Sequence, residues 1–232
     1  MRFVVITAFL VAWQANIALP QHVSQNNDAA LQYFLNNPFF ADFFESRGYD
    51  ACFMFAIVAP ELWRYNAIRD KAETLSLQVL YVEAGSEYGN FSIGRFQMKP
   101  DFAEYAEKYV ATSKHLQQLF PEIIAYKAET EREIRRERMG RLSSDKWQCL
   151  YLALFYEIIA NRFPEKKFVN TAEKLMFYAS AYNYGLDADD NKITAWSHQQ
   201  AFPVGPSGRK TAYASLALEY YEKSKLTDAC KL

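Results

Sequence analysis

Cysteine, histidine and net charge are all scarce in this chain of 232 residues, and each scarcity removes a class of function. Three cysteines (Cys52, Cys149, Cys230) and three histidines (His22, His115, His198) are scattered without metal-ligand spacing, so neither a zinc site nor a Cys–His nucleophile pair is expected. Three cysteines allow one disulfide with one thiol left over; they read as core thiols, Cys149 most clearly, on an apolar helix face. The 26 basic and 27 acidic side chains leave a net charge of −1, which gives no electrostatic footprint for nucleic acid or an anionic membrane. The sequence implies neither a cofactor nor a metal.

Long apolar runs are missing too, except at the start. Met1-Arg2 precedes an apolar stretch from Phe3 to Trp13, followed by the small residues Ala15 and Ala18 before Leu19-Pro20. That pattern predicts a signal peptide over 1–20 and a mature single domain over 21–232, placed in the periplasm or secreted. No later segment stays apolar for 18 residues, so stable membrane insertion after cleavage is not expected. No Cys follows the apolar run to carry a lipid.

What the chain does have is hydrophobic residues, at 50%, and aromatic rings, at 16%, enough for a sizeable core or a carbohydrate-binding groove. Its fold class is all-α, with no convincing strands and no internal repeat. From Ser143, the positions Trp147, Leu150, Tyr151, Leu154, Ile158 and Ile159 recur at helical spacing until Pro164 ends the run. Other helices are predicted over 28–36, 39–47, 60–82, 100–111, 121–138, 170–182 and 207–224. Pro60 reads as a first-turn proline, which would place Glu61 at a helix start where the dipole favours the ionised form. The alternating charges between Glu129 and Arg136 read as a solvated face.

Between two of these helices, Gly85, Gly89 and Gly94 punctuate a loop of the kind that lets backbone approach a ligand closely, or simply turns the chain. Asp187, Asp189 and Asn191 imitate the start of a calcium loop. Lys192 stands where that loop needs Gly and His198 where it needs Glu, so a capped turn is the simpler expectation.

Two stretches carry a resemblance. IGRFQMKPDFAEYA, from Ile93, resembles the Gly-aliphatic-Met-Gln-x-x-Pro turn and following helix of lysozyme-like lytic transglycosylases. ASAYNYGLDADDNKITAW, from Ala179, is similar to that family's Ala-Tyr-Asn-Ala-Gly motif and the helix after it, ending in Trp. GRKTAYASLALEYYEK, from Gly208, is a weaker echo of the terminal helix. Gly94, Gln97, Tyr182, Asn183 and Gly185 occupy matching positions, whereas Phe96 replaces the usual Met and Tyr184 the usual small residue.

The resemblance implies a lysozyme-like helical domain with a glycan-binding cleft, whose partners are peptidoglycan glycan strands. In that family a single Glu protonates the leaving oxygen of the β-1,4 bond between N-acetylmuramic acid and N-acetylglucosamine, then acts as base. Gly94, Gln97, Tyr182 and Asn183 are its implied substrate-binding residues. The family's acid stands in a Glu-Ser pair upstream of the turn, and here no Glu-Ser stands there. Glu61, in AIVAPELWRYNAIRD, and Glu83, in LYVEAGSEYGNFSIG, are the candidates, with Glu73 between them. Similarity to secreted bacterial proteins that combine a PELxRY block with FSIGxFQMKP favours Glu61. The missing Ser leaves a second reading: a non-catalytic glycan-binding or envelope scaffold on the same fold.

Overall fold

A computed structural model describes residues 28–67, 71–204 and 208–227, with the side chains of 28, 65–67 and 71–75 outside the description. The expected signal peptide over 1–20, and Cys230, lie outside the described residues.

The described chain is predominantly helical. In order it forms α1 (Asp28–Leu35), α2 (Pro38–Glu45), α3 (Ala51–Ala67), α4 (Lys71–Ala84), α5 (Pro100–Thr112), α6 (Lys114–Leu119), α7 (Pro121–Ile124), α8 (Glu131–Leu142), α9 (Asp145–Arg162), α10 (Thr171–Tyr184) and α11 (Asp190–Trp196). A two-stranded antiparallel hairpin follows, β1 (Gln200–Pro203) with β2 (Lys210–Ala212), and leads directly into α12 (Tyr213–Lys225). The all-α reading holds, with this hairpin as its exception. Its strands, QAFP and KTA, are too short to show a period of two, and the helix predicted from Ser207 begins only at Tyr213.

The centre of the molecule is α3. Every residue from Ala51 to Trp63 is buried, so this stretch of the helix has no solvent face, and α1, α2, α10 and α12 pack around α3. Phe34 stacks on Phe55 at 4.4 Å between ring centroids, and Phe40 meets Phe96 edge-on at 5.4 Å. A second buried helix, α9, carries the stripe expected from its periodicity and packs against α5, α8 and α10.

Three expectations are corrected. Pro60 lies inside α3, nine residues after its start at Ala51, because the apolar run before it continues the helix through the proline. Proline cannot donate to the carbonyl four residues back. One residue further on, the Ile57 carbonyl takes the Tyr213 hydroxyl at 2.8 Å. The helix predicted over 121–138 is instead the short α7, a loop, and α8, whose start is capped by Thr130 accepting from the Glu133 N–H. Finally, Cys52 is not a free core thiol but disulfide-bonded, whereas Cys149 is free and buried.

Most of the charges between Glu129 and Arg136 are exposed, as read, but the same helix turns two cations inward. Arg138 and Arg141 are both buried. Arg138 chelates Glu107 through Nη2–Oε2 at 2.6 Å and Nε–Oε1 at 2.9 Å, and donates through Nη1 to the Tyr81 hydroxyl at 2.6 Å. Tyr151 at 2.6 Å, and Tyr126, also donate to Glu107, so α4, α5, α8 and α9 meet at one satisfied polar cluster.

Candidate active site

A hairpin-like turn between α4 and α5 forms one wall of a cleft. Ile93 and Met98 exchange backbone hydrogen bonds at 2.8 and 3.1 Å, closing the loop over Gly94 to Gln97. Gln148, fully buried on α9, holds it from behind: its Nε2 donates to Ile93 O (2.9 Å) and Leu142 O (2.6 Å), and its Oε1 accepts from Phe96 N at 3.1 Å. A β-carbon on Gly94 would lie 1.8 Å from Gln148 Nε2, so only glycine fits there. At Gly89 a β-carbon would lie 2.6 Å from Leu77 O. The close approaches that these glycines allow are thus to α9 and α4 of the chain itself.

Gln97 has φ +53°, the only positive value outside glycine among the described residues. A non-glycine residue held left-handed costs about 1–2 kcal/mol, and such strain collects at functional sites. Its Nε2 donates to Gly94 O at 2.7 Å, and the side chain lines the cleft.

The opposite wall is the end of α10. Asn170 caps the start of that helix by accepting from Glu173 N at 2.9 Å, and Tyr182, Asn183 and Tyr184 at its other end line the cleft. The Tyr182 hydroxyl donates to Phe96 O at 2.7 Å, tying this wall to the turn. Asn183 accepts from Trp196 Nε1 at 2.9 Å, and Tyr184, 43% exposed, lies against the Trp196 ring at 4.9 Å. The cleft between the walls measures about 460 Å³, within the range of small-ligand sites.

Glu61 opens into this cleft from α3 while only 7% exposed. Burial raises its carboxyl from the ordinary 4.5 to about 7, against the opposing pull of Arg64, a hydrogen bond from Asn183, and Lys99. Its place in mid-helix explains the sign. The helix-start stabilisation expected from Pro60 is absent, and desolvation dominates. Tyr182 and Tyr213 sit near enough to feel its charge; burial first, and that charge second, raise both hydroxyls well above 10. They stay neutral at any working pH.

The structure therefore brings together Glu61, Gln97, Tyr182 and Asn183 at one cleft, with Gly94 shaping the turn behind it. Glu83 stands elsewhere, half-exposed at the end of α4 and ion-paired with Arg132 at 2.5 Å. The Glu73 side chain lies outside the described residues. Asp189 caps α11, accepting from Lys192 N at 2.9 Å, which is the capped turn expected there.

Sequence reasoning missed Glu104, which lines the cleft and accepts from Tyr81 at 2.9 Å and Ser86 at 2.7 Å. It also missed Gln148 and the bond from Trp196 to Asn183. The one local hint was Gln148 itself, a polar residue on the apolar stripe of α9. No family model matches this chain, and no curated protein or solved structure matches it.

Proposed function

We propose that this protein is a lysozyme-like peptidoglycan lytic transglycosylase with Glu61 as its single acid and base. The observation that carries the reading is a buried carboxyl raised to about 7, open to a cleft lined by Gln97, Tyr182 and Asn183 of the two resembling motifs. A general acid–base group is most effective when its pKa lies near the working pH. Arg64 and Lys99 favour the charged form that must follow proton donation.

In this reading neutral Glu61 gives its proton to the glycosidic oxygen as the bond from the muramyl anomeric carbon breaks. The electron pair of that bond stays with the leaving oxygen, which departs as a hydroxyl. The Glu61 carboxylate then takes the proton of the muramyl 6-hydroxyl while its oxygen bonds to the anomeric carbon. The product is a 1,6-anhydro end, and Glu61 is neutral again. No water enters the balance. The disulfide of Cys52 and the apolar N-terminal stretch support a periplasmic or secreted location.

The test is mass analysis of material released from purified peptidoglycan. The expected result is soluble muropeptides with anhydro ends from the native protein and none from Glu61→Gln. Hydrated reducing ends would make it a muramidase instead. Protein that pellets with peptidoglycan and releases nothing would make it the binding scaffold, a reading favoured by Leu62, buried where the family has Ser.

A further inference from the structure

We propose that Trp196 is a positioning residue for this cleft: its indole N–H fixes the Asn183 amide so that the amide NH₂ is committed to Glu61. The inference rests on the reading of Glu61 as the acid. The geometry starts from the chemistry of the three groups. Indole nitrogen is a donor with no acceptor capacity, so the Asn183 atom 2.9 Å from Trp196 Nε1 is the carbonyl oxygen. The other end of the same planar amide, its NH₂, is then the end turned toward Glu61, whose charged form Asn183 favours.

The reversed amide would turn its oxygen toward Glu61, where it would repel a carboxylate and accept from a protonated carboxyl. Trp196 forbids that orientation, because the NH₂ would then face the indole N–H, donor against donor. The indole is itself held. Trp196 ends α11, which packs on α10, and the Tyr184 ring lies on it at 4.9 Å.

The other groups facing Glu61 come from every wall and do not substitute for the amide. They are Arg64 on its own helix, Lys99 before α5, Tyr182 on α10 and Tyr213 on α12. The Tyr182 and Tyr213 hydroxyls are committed to the Phe96 and Ile57 carbonyls. Trp196 therefore decides whether the polar end of Asn183 favours the charged or the neutral carboxyl.

The experiment is a carbon-13 titration of the Glu61 carboxyl in native protein, Trp196→Phe, Asn183→Ala and the double variant, the signal being assigned by its loss in Glu61→Gln. Phe keeps an aromatic ring on the side of Tyr184 and deletes the donor, with some loss of ring volume. The midpoint is expected to rise by about one pH unit in Trp196→Phe, to rise in Asn183→Ala, and to rise no further when Trp196→Phe is added to Asn183→Ala. An unmoved or lowered midpoint in Trp196→Phe, or an equal shift with and without Asn183, overturns the proposal. If Trp196→Phe does not fold, the native protein still decides: the Trp196 indole N–H resonance should titrate with the Glu61 midpoint and stop doing so in Glu61→Gln. An indole signal flat through that midpoint overturns it. The titration needs no substrate, so a native protein inert on peptidoglycan removes the proposed reaction and leaves this relation to be decided by the midpoints alone.

Discussion

Glu61 and Glu107 are equally buried, each 7% exposed, yet they live in opposite surroundings. Glu107 is met by a guanidinium at 2.6 Å and by the hydroxyls of Tyr126 and Tyr151, and it does not line the cleft. Glu61 has an amide and two cations that only partly offset its desolvation, and it faces a cleft. A buried charge with full partners builds structure. One left undercompensated beside a cavity is a place where a proton can be held and given up.

The sharpest way to break this comparison is at Arg138. Arg138→Met strands the Glu107 carboxylate, and removing one partner of a buried pair costs about 3–5 kcal/mol. Urea unfolding should show that loss, while the surviving folded protein keeps the Glu61 midpoint near 7. A Glu61 midpoint that moves with Arg138 would join the two regions that the comparison separates.

Next in size is the pH dependence of stability. Because the folded pKa of Glu61, about 7, lies above its ordinary 4.5, the native state binds the proton more tightly than the unfolded chain does. Stability therefore falls as pH rises through that window, by about 3 kcal/mol from this one group. Glu61→Gln should match the native protein in urea near pH 4.5 and exceed it by about that amount above pH 7. Parallel stability curves for the two proteins would contradict the undercompensated state.

Gln97→Gly is a smaller perturbation. It relieves left-handed strain of about 1 kcal/mol and loses a hydrogen bond of similar worth to Gly94 O. Stability should barely change while glycan-fragment affinity, measured by calorimetry, falls about tenfold, near 1.4 kcal/mol. The smallest effect belongs to Glu83→Gln, which removes one exposed ion pair with Arg132 and should leave both unfolding and glycan release unchanged.

The parts legible in the sequence were those written locally. Helix α9 announced itself by its apolar spacing. Gln97, Tyr182 and Asn183 stood out in two short motifs, 85 or more positions apart, that the fold brings to one cleft. Pro60 misled because a first-turn proline is the commoner arrangement; the uninterrupted apolar run before it, from Ala51 to Ala59, was the signal for a continuing helix. What could not be read was long-range pairing. Arg138 reaches Glu107 across 31 positions and Gln148 reaches Phe96 across 52, and nothing in the local pattern of either residue names its partner. Trp196 was legible as the end of a helix, but its role depends on which way an amide 13 positions earlier is turned.

The most direct measurement is the titration of the Glu61 carboxyl in the folded native protein between pH 4 and pH 9. One glutamate signal should titrate near pH 7 and vanish in Glu61→Gln, as its burial beside the cleft requires. If the signal lost in that variant titrates near the ordinary 4.5 instead, Glu61 is a charged carboxylate at neutral pH and the account of the site is wrong.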